Sequence, residues 1–236
     1  MQVIDIDFKV GDFWLFKALT TRFSKGIIVI SGNNGCGKST LLRILSGLCK
    51  PNRGIVLYEN RDLYANPLTI KQMIGYVPST PFLYPQLTLL ENVTLAAKIR
   101  QLSEKEIKAN LPLVFEQCQL TGYEKSLFGN CSDGIKKQAM LASALIHNPK
   151  LLILDEPGAT LSPSSRELLW QVLNGFANQG IDIILSSHHL EDVNHCKEHY
   201  VLEAGRLHLQ ANMRVFSHIV LTQNSDDSTV AQDISL

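Results

Sequence analysis

The chain is 236 residues long and 45% apolar, with 22 lysines and arginines against 22 aspartates and glutamates. That length predicts one domain, or one domain with a subdomain, able to bury a proper core. The balanced charge argues against a bulk nucleic-acid or acidic-lipid surface, while leaving room for a local basic patch.

The opening MQVIDIDFKV alternates apolar and polar residues. Val3, Ile4, Ile6, Phe8 and Val10 therefore predict a strand, not a signal peptide with its basic and apolar regions. IIVIS (27–31) predicts a second, more buried strand, and GNNGCGKS follows it. Leu41, Leu42, Ile44, Leu45 and Leu48 then fall at helical spacing. PNRG (51–54) marks a turn, and IVLY and IGYVP are short strands. From Pro78 to Asn130 the pattern becomes helical. Thr88 with Glu91, and Ser103 with Glu106, match capping boxes, and Pro112 is expected to break or kink the second helix. A helix is expected from Ser132 to His147, then a buried strand at LLILD (151–155). Ser162 and Pro163 start another helix as N-cap and first residue. Leu168, Leu169, Val172, Leu173 and Phe176 form its stripe, and Gly180 closes it. IDIILSS is a further buried strand. A short helix follows, and then YVLEAGRLHLQ as a hairpin. From about Gln223 the chain is polar and is expected to fray. Strand and helix alternate, so the predicted class is α/β with a largely parallel sheet.

Five cysteines (Cys36, Cys49, Cys118, Cys131 and Cys196) form no CxxC pair and are odd in number, as in a reduced, cytosolic protein. No apolar run approaches the roughly 20 residues of a membrane helix, so a membrane role is expected through a partner.

Residues 32–39, GNNGCGKS, match GxxxxGK[ST] between a predicted strand and a predicted helix. Glycines in such a loop let backbone N–H groups point at phosphate oxygens, and the helix N-terminus adds partial positive charge. The candidate nucleotide-binding residues are Gly32, Asn33, Asn34, Gly35, Cys36, Gly37, Lys38, Ser39 and Thr40. Lys38 is expected on the β- and γ-phosphates of ATP and Ser39 on Mg²⁺. A glycine turn before a core helix is the bland alternative; the lysine and both flanking elements argue against it. LLILDEP delivers Asp155 and Glu156 to the carboxyl end of a strand, where open α/β sheets bind ligands. Asp155 is expected to hold Mg²⁺ through water, and Glu156 to orient or deprotonate the attacking water. His188 closes the next buried strand, within reach of the same phosphate.

The order of these motifs resembles the ATP-binding subunit of ABC transporters, from residue 1 to about 210. It runs P-loop, GYVP, helical insert, serine–glycine element, LLILDEP and SSH. PFLYPQLTLLENV (81–93) is typical of that family. The resemblance implies a P-loop NTPase (RecA-like) core with an antiparallel β part, from 1–78 and 132–210. It implies an inserted helical subdomain at 79–131 and a C-terminal extension at 211–236. It also implies a second ABC ATPase subunit, since in the family two subunits sandwich two ATP molecules. Each ATP lies between the Walker residues of one subunit and the LSGGQ signature of the other. A separate membrane-spanning subunit is implied too, with this chain cytoplasmic and peripheral on the inner face of the cell membrane. Export is favoured slightly over import, and no nucleic-acid partner is expected.

Against that pattern CSDGI (131–135) stands at the signature. Ser132 and Gly134 match and are candidate binders of the partner's ATP; Cys131, Asp133 and Ile135 depart. Two unit charges ~4 Å apart interact by ~4 kcal/mol at an effective dielectric of about 20, so Asp133 is expected to weaken clamping of a partner's γ-phosphate. It also suits the first turn of a helix, by ~0.3–1 kcal/mol. Ser79 replaces an expected glutamine, and Ser162 an expected aspartate. The alternative function is therefore a catalytically weak ATP-binding scaffold or regulatory subunit. Phe8, Phe13 and Trp14 are candidates to stack adenine, with core packing as the competing role. His195 and His199 stand at i, i+4 spacing, open to zinc or to a plain polar face. Phe82, Leu83 and Tyr84 suit either a membrane-subunit groove or internal packing. Cys36 fills the phosphate loop and is open to oxidation.

Overall fold

The structure, a computed structural model, describes residues 1–65, 70 and 72–210. The expected polar tail from Gln223 lies outside these residues. Two sheets carry the chain. The smaller has the order β2–β1–β4–β5, all antiparallel, from β1 (Gln2–Val10), β2 (Phe13–Arg22), β4 (Arg53–Tyr58) and β5 (Arg61–Asp62). The larger has the order β10–β9–β3–β8–β7–β6. It comprises β3 (Ile27–Ser31), β6 (Ile74–Val77), β7 (Leu151–Leu154), β8 (Asp182–Ser186), β9 (Glu198–Glu203) and β10 (Arg206–Gln210). Its pairings are parallel except β9–β10, which is the expected hairpin.

Side-chain alternation explains why the central strands are apolar throughout. Successive residues point to opposite faces of a sheet. Ile27 and Val29, Leu152 and Leu154, and Ile183 and Leu185 enter one core, with the helices on that side. Ile28 and Ile30, Leu151 and Ile153, and Ile184 enter the other, against α1 (Lys38–Leu45) and the smaller sheet. Both faces are covered, as a parallel sheet requires. The register aligns Val77, Leu154 and Leu185 across three neighbouring strands, so their carboxyl ends open at one edge. That edge receives every candidate residue from LLILDEP and SSH.

On the first core's side lie α2 (Leu89–Ile99), α3 (Glu104–Gln117), α4 (Asp133–Leu145) and α5 (Pro163–Asn178). Thr88 with Glu91 and Ser103 with Glu106 form both reciprocal bonds of the capping box. Ser162 caps α5, with Pro163 in its first turn, and Gly180 follows its end at φ 91°.

Three expectations need correction, and one strand was missed. Of the expected break or kink at Pro112, the break does not occur: α3 runs through it. Pro112 and Lys108 are both exposed, so the Lys108 carbonyl orphaned by the proline stays in water. The first helix ends at Leu45, and Leu48 beyond it is exposed. The helix expected over 132–147 spans Asp133–Leu145, with Ser132 outside it as the cap. Strand β2 was not expected: its pairing with β1 shifts register three times and Ala18 sits at φ 48°, which scrambles the period-two pattern.

Candidate nucleotide site

The loop between β3 and α1 is built for close approach. Gly32 has φ 147°, and a Cβ there would meet the Leu202 carbonyl oxygen at 2.4 Å. Gly35 and Gly37 also have positive φ, 80° and 108°, conformations that glycine adopts without steric cost. The loop turns on Cys36 N–H donating to the Asn33 carbonyl at 3.2 Å. Asn33, Asn34 and Gly35 are exposed at the rim, with Cys36 and Thr40 half-buried and Ser39 exposed at the start of α1. Lys38 is 5% exposed. Its ammonium folds back over the loop, donating to the carbonyls of Gly32 at 2.8 Å and Asn33 at 3.2 Å.

Three candidates from three elements converge here. Glu156 Oε1 lies 3.7 Å from Lys38 Nζ, and its Oε2 lies 3.4 Å from His188 Nδ1. The carboxylate thus sits between a fixed cation and an imidazole. Glu156 holds φ 45°, a left-handed conformation that costs a non-glycine residue ~1–3 kcal/mol. Tertiary bonds sustain it. The Glu156 N–H donates to Ser186 Oγ at 2.9 Å, and that hydroxyl donates to Asp155 Oδ1 at 2.7 Å. Ser186 is fully buried and Asp155 is 3% exposed. The Asp155 N–H donates to the Val77 carbonyl at 2.9 Å, which ties the turn to β6 as well.

His188 owes its place to the segment behind it. Asp192, buried, accepts from Trp170 Nε1 at 2.8 Å and from the Ser187 hydroxyl. Ser187 Oγ in turn accepts from the His189 N–H at 3.0 Å. His189 Nε2 pairs with the Arg166 guanidinium at 2.8 Å, and burial followed by Arg166 holds this imidazole below the usual histidine range.

Ser132 and Gly134 stand apart from this group. Among the described residues, no hydrogen bond or ion pair joins them to the phosphate loop. Ser132 Oγ accepts from the Ile135 N–H at 3.4 Å as the cap of α4, and Asp133 is exposed in its first turn. The nearest side chain to Gly134 is Ser165, on α5. Ser79 and Ser162 are likewise exposed. Phe8 packs beside Phe16, whereas Phe13 is 83% exposed and Trp14 carries Lys9 and Lys17 over its ring. His195 stacks on Trp170 in a 3-10 turn, while His199 lies in β9 with Nε2 2.7 Å from Ser31 Oγ. They share no helix face, so the i, i+4 zinc arrangement is not formed. Leu83 is buried, with Phe82 and Tyr84 half exposed beside it.

The sequence reading missed Ser186 and Lys137. Ser186 gave no signal beyond following an apolar run. Lys137 did: it shares a helical stripe with Met140, Leu141 and Ala144, where a lysine has no reason to be unless its charge is used.

Comparison with known proteins agrees with this geometry. A family model described as ABC transporter matches residues 16–159. The probable multidrug ABC transporter ATP-binding protein YbhF of Escherichia coli (strain K12) is 33% identical over 186 residues, 79% of this chain and 32% of that protein. The Nod factor export ATP-binding protein I of Bradyrhizobium diazoefficiens is 33% identical over 207 residues, 87% of this chain and 68% of that protein. The chain therefore spans about a third of the first relative and about two thirds of the second. Among solved structures, an ATP-binding subunit of an ABC transporter superposes with TM-score 0.79 at 29% identity, covering 93% of each chain. The cbiO1 protein of Clostridium perfringens, part of the complex cbiONQ, superposes with TM-score 0.82 at 25% identity, covering 97% of this chain and 94% of its own. With the phosphate loop, the acidic strand end and the histidine on one sheet edge, this chain belongs to the ABC transporter family and has the fold of its ATP-binding cassettes.

Proposed function

We propose that the chain is the ATP-binding and ATP-hydrolysing subunit of a transporter, acting as a dimer on a separate membrane-spanning partner. The observation that carries this reading is Glu156 held between Lys38 and His188 above a positive-φ glycine loop. In this role the loop N–H groups and Lys38 bind the phosphates. Glu156, kept in place by Ser186, accepts the proton of the attacking water. His188, beside Glu156, contacts the γ-phosphate in this reading. Ser39 and Asp155 fit Mg²⁺: one is a hydroxyl at the loop, the other a buried carboxylate already oriented by a serine. A magnesium site of this kind uses one or two such oxygen ligands and takes the rest from phosphate and water. When bound, the ion supplies charge neutralisation on the β- and γ-phosphates.

The relatives named for multidrug transport and Nod factor export support export as the direction. Among the described residues no helix is long and apolar enough to cross a membrane. Membrane attachment through a partner, on the cytoplasmic face, is consistent with that. We assign 79–131 to a helical subdomain, with Phe82 and Tyr84 as its contact to the membrane subunit. A weakly hydrolysing scaffold is the second reading, favoured by Ser79, Asp133, Ile135 and Ser162.

The test is calorimetry of ATP binding to the intact chain and to Lys38→Ala. Loss of the cation is expected to weaken affinity at least about tenfold, ~1.4 kcal/mol. Equal affinities would remove the assignment. Purification from the native membrane with identification of co-purifying chains tests the partners.

A further inference from the structure

Lys137 lies in the second turn of α4, 7% exposed, on the face that enters the core. A buried lysine carries a large desolvation cost unless its charge has a use. Its ammonium has three N–H donors. Among the described residues its one hydrogen bond goes to the Ser79 carbonyl oxygen, at 2.8 Å.

That contact joins one departure from the family pattern to the helix that carries another. Ser79 stands where the pattern places a glutamine, and Lys137 is two residues beyond the altered signature. Ser79 follows β6, whose last residue Val77 accepts from the Asp155 N–H. The lysine head therefore sits one short loop from the acidic pair. Burial pulls its ammonium below the usual lysine range, opposed in order by Asp155, Asp133 and Glu156. Two of those three acids belong to the nucleotide site.

We infer that Lys137 is a positioning residue of the nucleotide site, clamping the Ser79 loop to α4 and setting a fixed positive charge toward Asp155 and Glu156 in place of the missing glutamine. This rests on the ATP-binding reading above. A single cation there has two linked effects. It lowers the negative potential that repels metal-free ATP, and it competes with Mg²⁺ for the field of Asp155. The site is thereby tuned to depend less on the divalent ion.

The experiment is ATP affinity by calorimetry with excess Mg²⁺ and with chelator, on the intact chain and on Lys137→Met. Methionine keeps the length and packing of lysine without charge or donor. The ratio of the two dissociation constants, chelator over Mg²⁺, is expected to rise at least about fivefold. Lys137→Arg is expected to hold it near the unsubstituted value. If Lys137→Met does not fold, Lys137→Gln reads the same ratio, since it keeps a donor and loses the charge. Amide exchange at Ser79 and its neighbours is expected to quicken in Lys137→Met and to return in Lys137→Arg. A folded Lys137→Met or Lys137→Gln with an unchanged ratio overturns the inference and leaves ATP binding intact. An unsubstituted chain that binds no ATP in either condition overturns the function itself, which is a different result.

Discussion

Two helix starts on this molecule face opposite problems. The start of α1 belongs to a loop that closes locally on its own carbonyls and meets a side chain from a distant strand end. Lys38 is buried against carbonyls six and five residues back, Glu156 is strained, and Ser186 ties it to Asp155 from beneath. The start of α4 is exposed and satisfied locally: Ser132 caps it, and Asp133 is exposed in its first turn. One end answers to the fold and the other only to the helix. A carboxylate is tolerable at the second because it is exposed there, whereas the same change in the first would meet Glu156.

The sharpest way to break this contrast is Glu156→Gln. It preserves shape and removes the proton acceptor, so turnover is expected to fall by roughly 10² or more while ATP still binds. Single-turnover kinetics check it; full activity in the variant would show that the strained carboxylate is not the base. Next comes Asp133→Gly with Ile135→Gln, which removes the charge from the exposed end. If two copies of this chain pair, relief of ~1–3 kcal/mol raises ATP-driven dimerisation or turnover by roughly 5- to 150-fold. If the partner is a different cassette, turnover stays level and ATP retention lengthens. No change in either, in a complex that binds ATP, would mean that Asp133 points away from the phosphate. A smaller effect is expected from Ser186→Ala. It leaves Asp155 Oδ1 and the Glu156 N–H without their shared partner, at about 1–3 kcal/mol. Denaturant unfolding is expected to register that loss together with slower turnover. The smallest is Ser132→Ala. Its cap bond is long, at 3.4 Å, so the cost is about 1 kcal/mol or less and a melting shift of ~2–4 °C at most. A larger shift would mean that the exposed end is not locally determined after all.

What was legible followed local physics. Alternation marked β1, apolar runs marked β3, β7 and β8, and capping residues marked the starts of α2, α3 and α5. Three features escaped for reasons that are also physical. Bulges hid β2, a solvated carbonyl let α3 pass through Pro112, and the stacking of His195 on Trp170 separated it from His199. The candidate site was legible in part because a glycine-rich loop before a helix is a local object. Its glycines, lysine and serine must be adjacent to make one turn and one helix start. The acidic pair and His188 were legible because each closes an apolar strand.

The sequence by itself determined the phosphate loop, the strand ends and the helix caps, since each depends on residues within a few positions of one another. Only the tertiary structure decided that Ser186 holds Asp155 across 31 positions and that Lys137 reaches Ser79 across 58. Those pairings depend on strand order and on which helix face meets the sheet. The stripe that holds Lys137 marks it as buried but not what it meets, and Ser186 leaves no mark at all, because a single buried hydrogen bond is specified by three-dimensional position and not by spacing along the chain.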